Sequence, residues 1–349
     1  MWKWRLFIWL MRLTARRESR YFRRLRGLQA VVAEELNGTD SVWTSIISRP
    51  KRPDPFPPVL TNDCPAAVML QGPLRLEDDF TVETVRHYRR SMPASRIIVS
   101  TWNDEDAQAI QRLKMAGARV VLSERPANRG PSNVNLQIRG TQAGLAAVRE
   151  EGHELVLKTR TDARIYSYHA LDFFAGLMRS FPLNENSKQN QRIVTLDFAT
   201  RLLIPNHPSD MLMFGRLDDL ERYWDAPYSE HPERTRTSNL GLLWTEQTPE
   251  LYLCESYLRR IGHPFERTIA SWWRTLAELF VVVDRTSLDY FWPKYDYVRE
   301  HRVSSTEQVQ ALTLCGFREW MNLHTFSKQF DIDDATVQAF RCDEILRAA

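Results

Sequence analysis

Short apolar runs alternate with longer stretches of helical spacing over the part of the chain that begins near Ala66. The runs with the length of buried strands lie at 67–70, 96–102, 118–122 and from Val156 onward. Between them, apolar residues follow the helical period at 79–91, 104–115 and 133–150. Strand and helix in alternation predict a wound α/β domain with a mainly parallel sheet.

Beyond Asp162 the pattern is less regular. It predicts helices at 170–179, 217–224, 249–260 and 268–279, and strands at 192–198 and 280–283. An extended loop at 205–210 leads into another apolar run at 211–215, and helical segments follow over 301–349. In the first half, Asp104 is the candidate N-cap of the second helix, which Gly117 closes.

Six prolines fall between residues 41 and 65, where they deny the chain regular hydrogen bonding and favour an extended linker. The folded domain is therefore expected to start near Ala66. We divide the chain into a basic amphipathic segment, a Pro-rich linker, a large α/β domain and a helical C-terminal extension, at 1–40, 41–65, 66–300 and 301–349.

The first 26 residues carry nine lysines and arginines against one glutamate, although the formal net charge of the whole chain is only +3. Tryptophans and aliphatic residues are interleaved with these cations, which is typical of an interfacial helix on an anionic membrane. Two alternatives remain: the helix packs on the body of the protein, or the segment is a presequence or a nucleic-acid arm. We predict membrane contact and no nucleic-acid partner.

The composition is that of an ordinary folded protein, with 43% hydrophobic and 26% charged residues over a length of 349. No apolar run approaches the 18 or so residues of a membrane span. The four cysteines form no C-x-x-C pair, which argues against a zinc site and a disulfide framework. A reducing compartment, the cytoplasm, is the expected location.

The stretch at 156–165 begins as an apolar run and then turns charged, as a buried strand does where it leaves a sheet. With the strand period of two, Lys158, Arg160 and Asp162 fall on one side, and Thr159 and Thr161 on the other. At the carboxyl end of a parallel strand, these charges suit a phosphorylated ligand, with or without a metal. The alternative is a salt-bridged strand end without a function.

Several common motifs are missing. The sequence has no G-x-x-x-x-G-K-[ST] loop and no G-x-S-x-G elbow, and its first strand ends in Gln71-Gly72-Pro73 instead of a dinucleotide-binding G-x-G-x-x-G. These absences argue against P-loop enzymes, dinucleotide-dependent enzymes and α/β-hydrolases.

An ordered set of short motifs resembles the WavE family of bacterial lipopolysaccharide-synthesis proteins over roughly 66–300. The motifs are Gln71-Gly72-Pro73, the helix from Thr81 to Tyr88 with Arg89, the strand 97–102 (IIVSTW), Asn133-x-Asn135-x-Gln137, the run from Leu157 to Asp162, and Ser209-Asp210-Met211-x-x-Phe214-Gly215. The resemblance implies a GT-A-like nucleotide-diphospho-sugar transferase fold and a part in building cell-surface polysaccharide.

A GT-A enzyme typically holds the donor diphosphate through a divalent metal bridged by an Asp-x-Asp, whereas this chain has Arg160-Thr161-Asp162. Asp162 could still bind Mn²⁺ or Mg²⁺ together with phosphate oxygens and waters. Alternatively, Lys158 and Arg160 could supply the positive charge, Arg160 by a planar bidentate contact, so that no metal is needed. The sequence leaves both interpretations open.

The other candidates for donor binding follow the first strands. Gln71 and Gly72 would let the backbone approach the nucleotide, and Thr101 and Trp102 could contact the base or ribose, with core packing as the alternative for Trp102. Three further candidates open the third helix, whose N-terminus could favour an anion, although the first of them is also an N-cap candidate: Asn133, Asn135 and Gln137.

Asp210 is the candidate general base that would deprotonate an acceptor hydroxyl, because it follows the nucleotide-binding half of the chain. Its alternative is a cap beside Ser209. Glu250 and Glu246 are reserve catalytic candidates, and Glu250 is equally explained as a carboxylate in the first turn of a helix. His207 and the other histidines lack ligand spacing and are expected to be solvated or structural.

Together these features predict a glycosyltransferase that moves a sugar from a nucleotide-sugar donor to a lipid-linked or lipopolysaccharide acceptor. Its expected place is the cytoplasmic surface of a bacterial inner membrane. A sugar nucleotidyltransferase is the enzymatic alternative, and a catalytically silent scaffold of polysaccharide assembly is the other. The sequence does not indicate the donor, the acceptor, the stereochemistry or the oligomeric state.

Overall fold

The computed structural model describes residues 64–231, 248–292 and 314–326. Several predictions lie wholly or mainly outside these residues, namely the basic segment 1–40, the linker 41–65, the extension 301–349 and Glu246. The division of the chain into four parts therefore stays a prediction.

The described strands are β1 (Ala67–Gln71), β2 (Ile97–Trp102), β3 (Arg119–Ser123), β4 (Leu155–Arg160), β5 (Arg164–Ile165), β6 (Ile193–Leu196), β7 (Met213–Arg216), β8 (Phe280–Val283) and β9 (Tyr290–Phe291). Seven of them form one sheet in the order β3-β2-β1-β4-β7-β6-β8. All neighbours in this sheet are parallel except β7, which runs antiparallel to both β4 and β6. Every residue of β1 and β2 is buried, as their apolar composition requires.

The described α-helices are α1 (Phe80–Ser91), α2 (Ala107–Met115), α3 (Val134–Glu150), α4 (Ala170–Ser180), α5 (Leu217–Trp224), α6 (Pro249–Arg260), α7 (Ile269–Leu279) and α8 (Phe317–Phe326). The long helix α3 packs on β1, β2 and β3 and also contacts α5, which in turn contacts α6. Helices α7 and α8 pack on β8 and on each other. Within the described ranges, no helix combines the length and the apolarity needed to cross a bilayer.

The strand register decides which residues meet at one edge of the sheet. Gln71 pairs with Arg160 at the carboxyl ends of β1 and β4. Because β7 runs in the opposite direction, its first residue, Met213, pairs with Lys158. The segment that leads into β7, including Asp210, therefore arrives at the edge where β1 and β4 end.

A second, two-stranded sheet lies next to the exit of β4. In it, β5 pairs antiparallel with β9, with Arg164 opposite Phe291 and Ile165 opposite Tyr290. Because β5 follows β4 after only three residues, the pairing also brings Trp292, the residue after β9, beside Arg160.

The predicted α/β fold with a mainly parallel sheet is confirmed, and most predicted elements agree with the described ones within two residues. The predicted N-cap of α2 was wrong. Its cap is Asp106, whose Oδ1 accepts a hydrogen bond of 2.6 Å from the backbone N–H of Ala109. The side chain of Asp104 instead accepts hydrogen bonds from Arg125 and does not cap the helix.

Replacing Gly72 by alanine is expected to lower the free energy of unfolding by about 1–3 kcal/mol. Gly72 has a φ of +130°, and a Cβ there would stand 2.9 Å from Thr161 Oγ1, which itself donates to the carbonyl of Pro73. Denaturant unfolding measures the loss. Gly152 is the matched control because it also has a positive φ but nothing within 4 Å of the added Cβ, so Gly152→Ala should cost only about 1 kcal/mol. Equal losses in both variants would contradict the contact with Thr161.

Candidate active site

Lys158 is a buried cation on β4. Its side chain is 1% exposed, and its Nζ donates a hydrogen bond of 2.5 Å to the backbone carbonyl of Asp210. The Nζ also lies 4.4 Å from the centre of the Trp224 ring. Burial lowers the pKa of Lys158 to about 8, while the charge of Asp210 opposes that shift. Lys158 therefore remains mostly protonated at neutral pH and fastens the start of β7 to β4.

Arg160 forms a bidentate ion pair with Asp162 where β4 ends. Its Nε donates to Asp162 Oδ1 at 2.7 Å, and its Nη2 donates to Oδ2 at 2.9 Å. Its guanidinium carbon lies 5.4 Å from the centre of the Trp292 ring. Burial alone would lower the pKa of Arg160, but the bonds and charge of Asp162 outweigh it and raise that pKa. The pair has the geometry of the salt-bridged strand end considered from the sequence.

A divalent metal would need oxygen ligands that are not already used. Both oxygens of Asp162 accept hydrogen bonds from Arg160, a cation that would repel a metal ion at that point. Within the described ranges, no group of three or more histidines, cysteines, aspartates or glutamates is arranged to hold an ion. As they stand, these residues do not fit the metal role predicted for Asp162.

The segment between β6 and β7 is tied to β6 by hydroxyl groups. Thr195 Oγ1 donates to the carbonyl of Ser209 at 2.7 Å, and Thr200 Oγ1 donates to the carbonyl of Leu196 at 2.6 Å. Thr200 Oγ1 also accepts from the backbone N–H of Ser209 at 2.9 Å. These bonds fix Ser209, and therefore the next residue, Asp210, against the edge of the sheet.

Asp210 is a buried carboxylate that lacks one hydrogen bond. Its side chain is 4% exposed, and its Oδ2 has no hydrogen-bond partner within the described part of the chain. Burial and the charge of Glu250 raise the pKa of Asp210 to about 6, while Lys158 and Arg160 oppose that rise. A carboxylate with a raised pKa and a free oxygen can accept a proton from a substrate hydroxyl.

His207 and Glu250 lie next to this carboxylate. His207 Nδ1 is 2.9 Å from the carbonyl of Ala199, which requires the proton on Nδ1 and leaves Nε2 as an acceptor 3.7 Å from Glu250 Oε2. Burial lowers the pKa of His207 to about 4, so the ring is neutral at pH 7. Burial also raises the pKa of Glu250, which stands in the first turn of α6, after the N-cap Thr248 and Pro249. His207 is thus buried and structural, which agrees with one of the two expectations from the sequence.

The predicted donor-binding residues on β1 and β2 lie at the same edge. Gln71 is buried, and its carbonyl accepts from the N–H of Thr161, while the N–H of Gly72 donates to the carbonyl of Ser100. Trp102 is 1% exposed, its ring lies 4.9 Å from the guanidinium carbon of Arg125, and its Nε1 has no hydrogen-bond partner within the described ranges. Thr101 is equally buried.

The three amides at the start of α3 have different surroundings. Asn133 stands at the N-cap position with a φ of +64°, but its side chain makes no cap hydrogen bond. Asn135 is fully used by the protein: its Nδ2 donates to the carbonyls of Asn128 and Ser229, and its Oδ1 accepts from the N–H of Ser229. Gln137 keeps a buried Oε1 with no hydrogen-bond partner in the described residues. Asn135 therefore fastens a loop and is left out of the site, whereas Gln137 stays a candidate.

Several neighbours of the site were not identified from the sequence. They are Phe198, Trp224, Tyr290 and Trp292, of which Trp224 contacts Lys158 and Trp292 contacts Arg160. Each lies far along the chain from β4 and reaches the edge only in the folded protein: Trp224 ends α5, Tyr290 lies in β9, and Phe198 and Trp292 follow β6 and β9. No local pattern in the sequence marked them.

The sheet is mostly parallel, and charged side chains lie where its strands end. In α/β proteins of this class, ligands bind at that edge. The chain belongs to the WavE family, described as "WavE lipopolysaccharide synthesis", whose family model matches residues 66–347. The resemblance noted from the sequence is thereby confirmed, and the match extends well beyond residue 300. No curated protein is significantly similar to the chain in sequence.

Among the solved structures that are distantly similar to the chain are three transferases. A cytidylyltransferase from Leptospira borgpetersenii serovar Hardjo-bovis has a TM-score of 0.37 and 13% identity, over 78% of this chain and 97% of that chain. A mannose-1-phosphate geranyltransferase from Thermus thermophilus has a TM-score of 0.30 and 14% identity, over 61% and 78%. A glucosyl-3-phosphoglycerate synthase from Mycobacterium tuberculosis, in complex with Mn²⁺, UDP-glucose and phosphoglyceric acid, has a TM-score of 0.32 and 14% identity, over 58% and 81%. At such TM-scores these likenesses do not indicate what this chain binds.

Proposed function

We propose that the protein is a glycosyltransferase that moves a sugar from a nucleotide-sugar donor to a lipopolysaccharide or lipid-linked saccharide acceptor. The observation that carries this proposal is the Oδ2 of the buried Asp210, which has no hydrogen-bond partner among the described residues and is held beside Lys158 and Arg160 at the sheet edge. Membership of the WavE family supports the connection with lipopolysaccharide.

In the proposed reaction, the acceptor hydroxyl oxygen forms a bond to the anomeric carbon of the donor sugar. The bond between that carbon and the phosphate oxygen breaks, and its electron pair leaves with the nucleotide. The hydroxyl proton moves to Asp210 Oδ2, which suits a base because its pKa of about 6 leaves it ionised at neutral pH. Arg160 stabilises the negative charge that grows on the leaving phosphate.

Lys158 acts on this reaction through Asp210 and not through the donor. Its Nζ is buried and bonded to the carbonyl of Asp210, so a direct contact with donor phosphate, as the sequence suggested, is not favoured by its surroundings. Its positive charge lowers the pKa of the Asp210 carboxyl and thereby keeps the base ionised. We therefore assign Lys158 a positioning role.

The donor nucleotide is proposed to lie over the ends of β1 and β2. Two buried polar atoms there, Trp102 Nε1 and Gln137 Oε1, have no hydrogen-bond partner in the described residues. A buried donor or acceptor without a partner is costly, and a base or ribose could supply the missing bonds. Gln71 and Gly72 stand at the end of β1, which lies between β2, with Trp102, and β4, with Arg160.

A catalytically silent scaffold remains the second candidate, because Arg160 stands where GT-A enzymes have the first aspartate and is engaged in an ion pair with Asp162. Such a protein would bind nucleotide or saccharide without turnover. Attachment of the basic segment 1–40 to the anionic inner membrane remains part of the proposal, supported only by its charge and its tryptophans.

A thermal-shift screen of UDP, GDP, CMP and dTDP on the full chain, each with and without Mn²⁺, tests the donor site. A nucleotide at a hundred times its dissociation constant stabilises the folded state by about 2.7 kcal/mol, so one of them should raise Tm by roughly 5 °C. The metal-free arm should show the same shift if Arg160 supplies the charge. The absence of a shift with all four nucleotides would contradict the donor site.

A further inference from the structure

Two aromatic rings and two arginines form a continuous row beside the site. The rings of Phe198 and Trp292 are 5.3 Å apart, centre to centre, at an angle of 73°. The guanidinium carbon of Arg285 lies 5.4 Å from the centre of Phe198, and that of Arg160 lies 5.4 Å from the centre of Trp292. We call these four residues the aromatic row.

The row is assembled from strand ends that are distant in sequence. Phe198 follows β6, Arg285 follows β8, and Trp292 follows β9. The backbone N–H of Arg285 donates to Asp197 Oδ1 at 2.9 Å, and Arg285 Nε lies 3.9 Å from Asp197 Oδ2. Each end of the row therefore carries an arginine paired with a carboxylate, Arg285 with Asp197 and Arg160 with Asp162.

The row is open to solvent, although it packs on the core. Phe198 and Trp292 are only partly buried, in contrast to the fully buried tryptophans Trp102, Trp224, Trp272 and Trp320. The side chains of Arg285 and Arg160 are 24% and 18% exposed. The exposed parts of the two rings lie next to fixed polar groups, so they offer a ligand apolar surface and hydrogen-bonding groups together.

The composition of the row fits a saccharide. A sugar ring has an apolar face of C–H groups that can lie against an aromatic ring, and hydroxyls around its rim that both donate and accept. The guanidinium groups supply donors in fixed planar positions, since the bidentate pair with Asp162 uses only two of the five N–H groups of Arg160. Each arginine is paired with a carboxylate, so recognition does not require an anionic ligand.

The sheet order indicates whether the row would bind the donor sugar or the acceptor saccharide. Trp102 Nε1 and Gln137 Oε1 have no hydrogen-bond partner among the residues that the structure describes, and they lie on the side of β4 that holds β1 and β2. The strands β6 and β8 lie on its other side. Asp210, just before β7, stands between the two sides. Resting on the proposed function, we propose that the aromatic row binds the acceptor saccharide and presents its hydroxyl to Asp210.

Saturation-transfer NMR on the full chain tests this, with core oligosaccharide released from rough lipopolysaccharide as the probe. Trp292→Ala is expected to weaken binding of the oligosaccharide about tenfold, and Trp292→Phe to recover part of it, because an aromatic face is restored. Phe198→Ala should also weaken binding. Phe173→Ala is the control, since Phe173 is an exposed aromatic on α4 outside the row.

The same variants are assayed for the nucleotide thermal shift, which separates the two proposals. An unchanged shift together with weaker oligosaccharide binding supports an acceptor site distinct from the donor site. Three results would overturn the row as an acceptor site. The first is an equal oligosaccharide affinity in wild type and Trp292→Ala, and the second is a loss of that affinity in Phe173→Ala as large as in Trp292→Ala. The third is loss of the nucleotide thermal shift in Trp292→Ala. An oligosaccharide that fails to bind wild type would overturn it too, while a retained nucleotide shift would leave the donor site standing.

Discussion

Asp210→Asn is expected to lower the rate of sugar transfer by about 10²–10⁴-fold, the contribution of a general base. Asparagine has nearly the same shape as aspartate but cannot accept a proton at its side-chain nitrogen. The free Oδ2 of Asp210 faces no protein donor within the described residues, so little structure depends on it. The measurement is nucleotide release from the donor that binds in the thermal-shift screen, with lipopolysaccharide as acceptor.

The pH profile of the wild-type rate gives an independent check on Asp210. Its pKa is raised to about 6 by burial and by the charge of Glu250. Because the base acts in its deprotonated form, the rate should be lost as the pH falls through about 6, and it should level off above that value.

The control for Asp210→Asn is Asp218→Asn, which removes a surface carboxylate paired with Arg149. It should keep the full rate, and both variants should retain donor-nucleotide binding. A rate within threefold or so of wild type for Asp210→Asn would rule out Asp210 as the base, since the loss expected of a general base is at least about 10²-fold. Glu250→Gln would then be the next variant, as Glu250 also has a raised pKa.

Arg160→Met is expected to weaken binding of the donor nucleotide by roughly tenfold to a hundredfold. A hydrogen bond to a charged group contributes about 1.5–3 kcal/mol, and every 1.4 kcal/mol changes a dissociation constant about tenfold. Arg160→Lys should recover only part of the affinity, because a lysine keeps the charge but loses the planar two-point contact. Affinities are measured by titration with the identified nucleotide, in the presence of a chelator and again with Mn²⁺.

Asp162→Ala separates the charge-based site from the metal-based one. If Arg160 supplies the charge, loss of Asp162 frees the guanidinium and only weakens binding through poorer positioning, with no dependence on Mn²⁺. If a metal bound to Asp162 is needed, the variant should lose nucleotide binding altogether, and binding by wild type should require the metal. Unchanged affinity in both Arg160→Met and Asp162→Ala would refute the donor site.

The fold could be predicted to a large extent because its elements are encoded locally. Apolar runs of strand length and helical spacing gave the bounds of β1, β2, α5 and α6 to within about one residue. The same alternation put Asp162 on the side of Lys158 and Arg160, but Asp162 lies in the turn after β4, where it forms the bidentate pair with Arg160. Lys158 and Arg160 themselves lie two residues apart on β4. Neighbours at two-residue spacing on a strand are fixed by the backbone alone.

The direction of β7 could not be predicted in the same way. A buried strand has the same composition whether it runs parallel or antiparallel to its neighbour, so the apolar run at 211–215 contains no signal for its direction. That direction decides the site, because it brings Asp210 to the end of β4. Asn135 could not be judged from the sequence either. It was a candidate for binding a ligand, but its side-chain amide donates to backbone carbonyls 7 and 94 residues away.

By itself, the sequence determined the class of the fold, the charged end of β4 and the candidate base Asp210. Only the tertiary structure decided which groups surround them: the buried bond from Lys158 to the Asp210 carbonyl, the neutral His207 beside Glu250, and the aromatic row from Phe198 to Trp292. The physical reason is that periodicity and local charge act over a few residues. Burial, which shifts the pKa of Asp210, and contacts between strand ends depend on segments that meet only after the chain has folded.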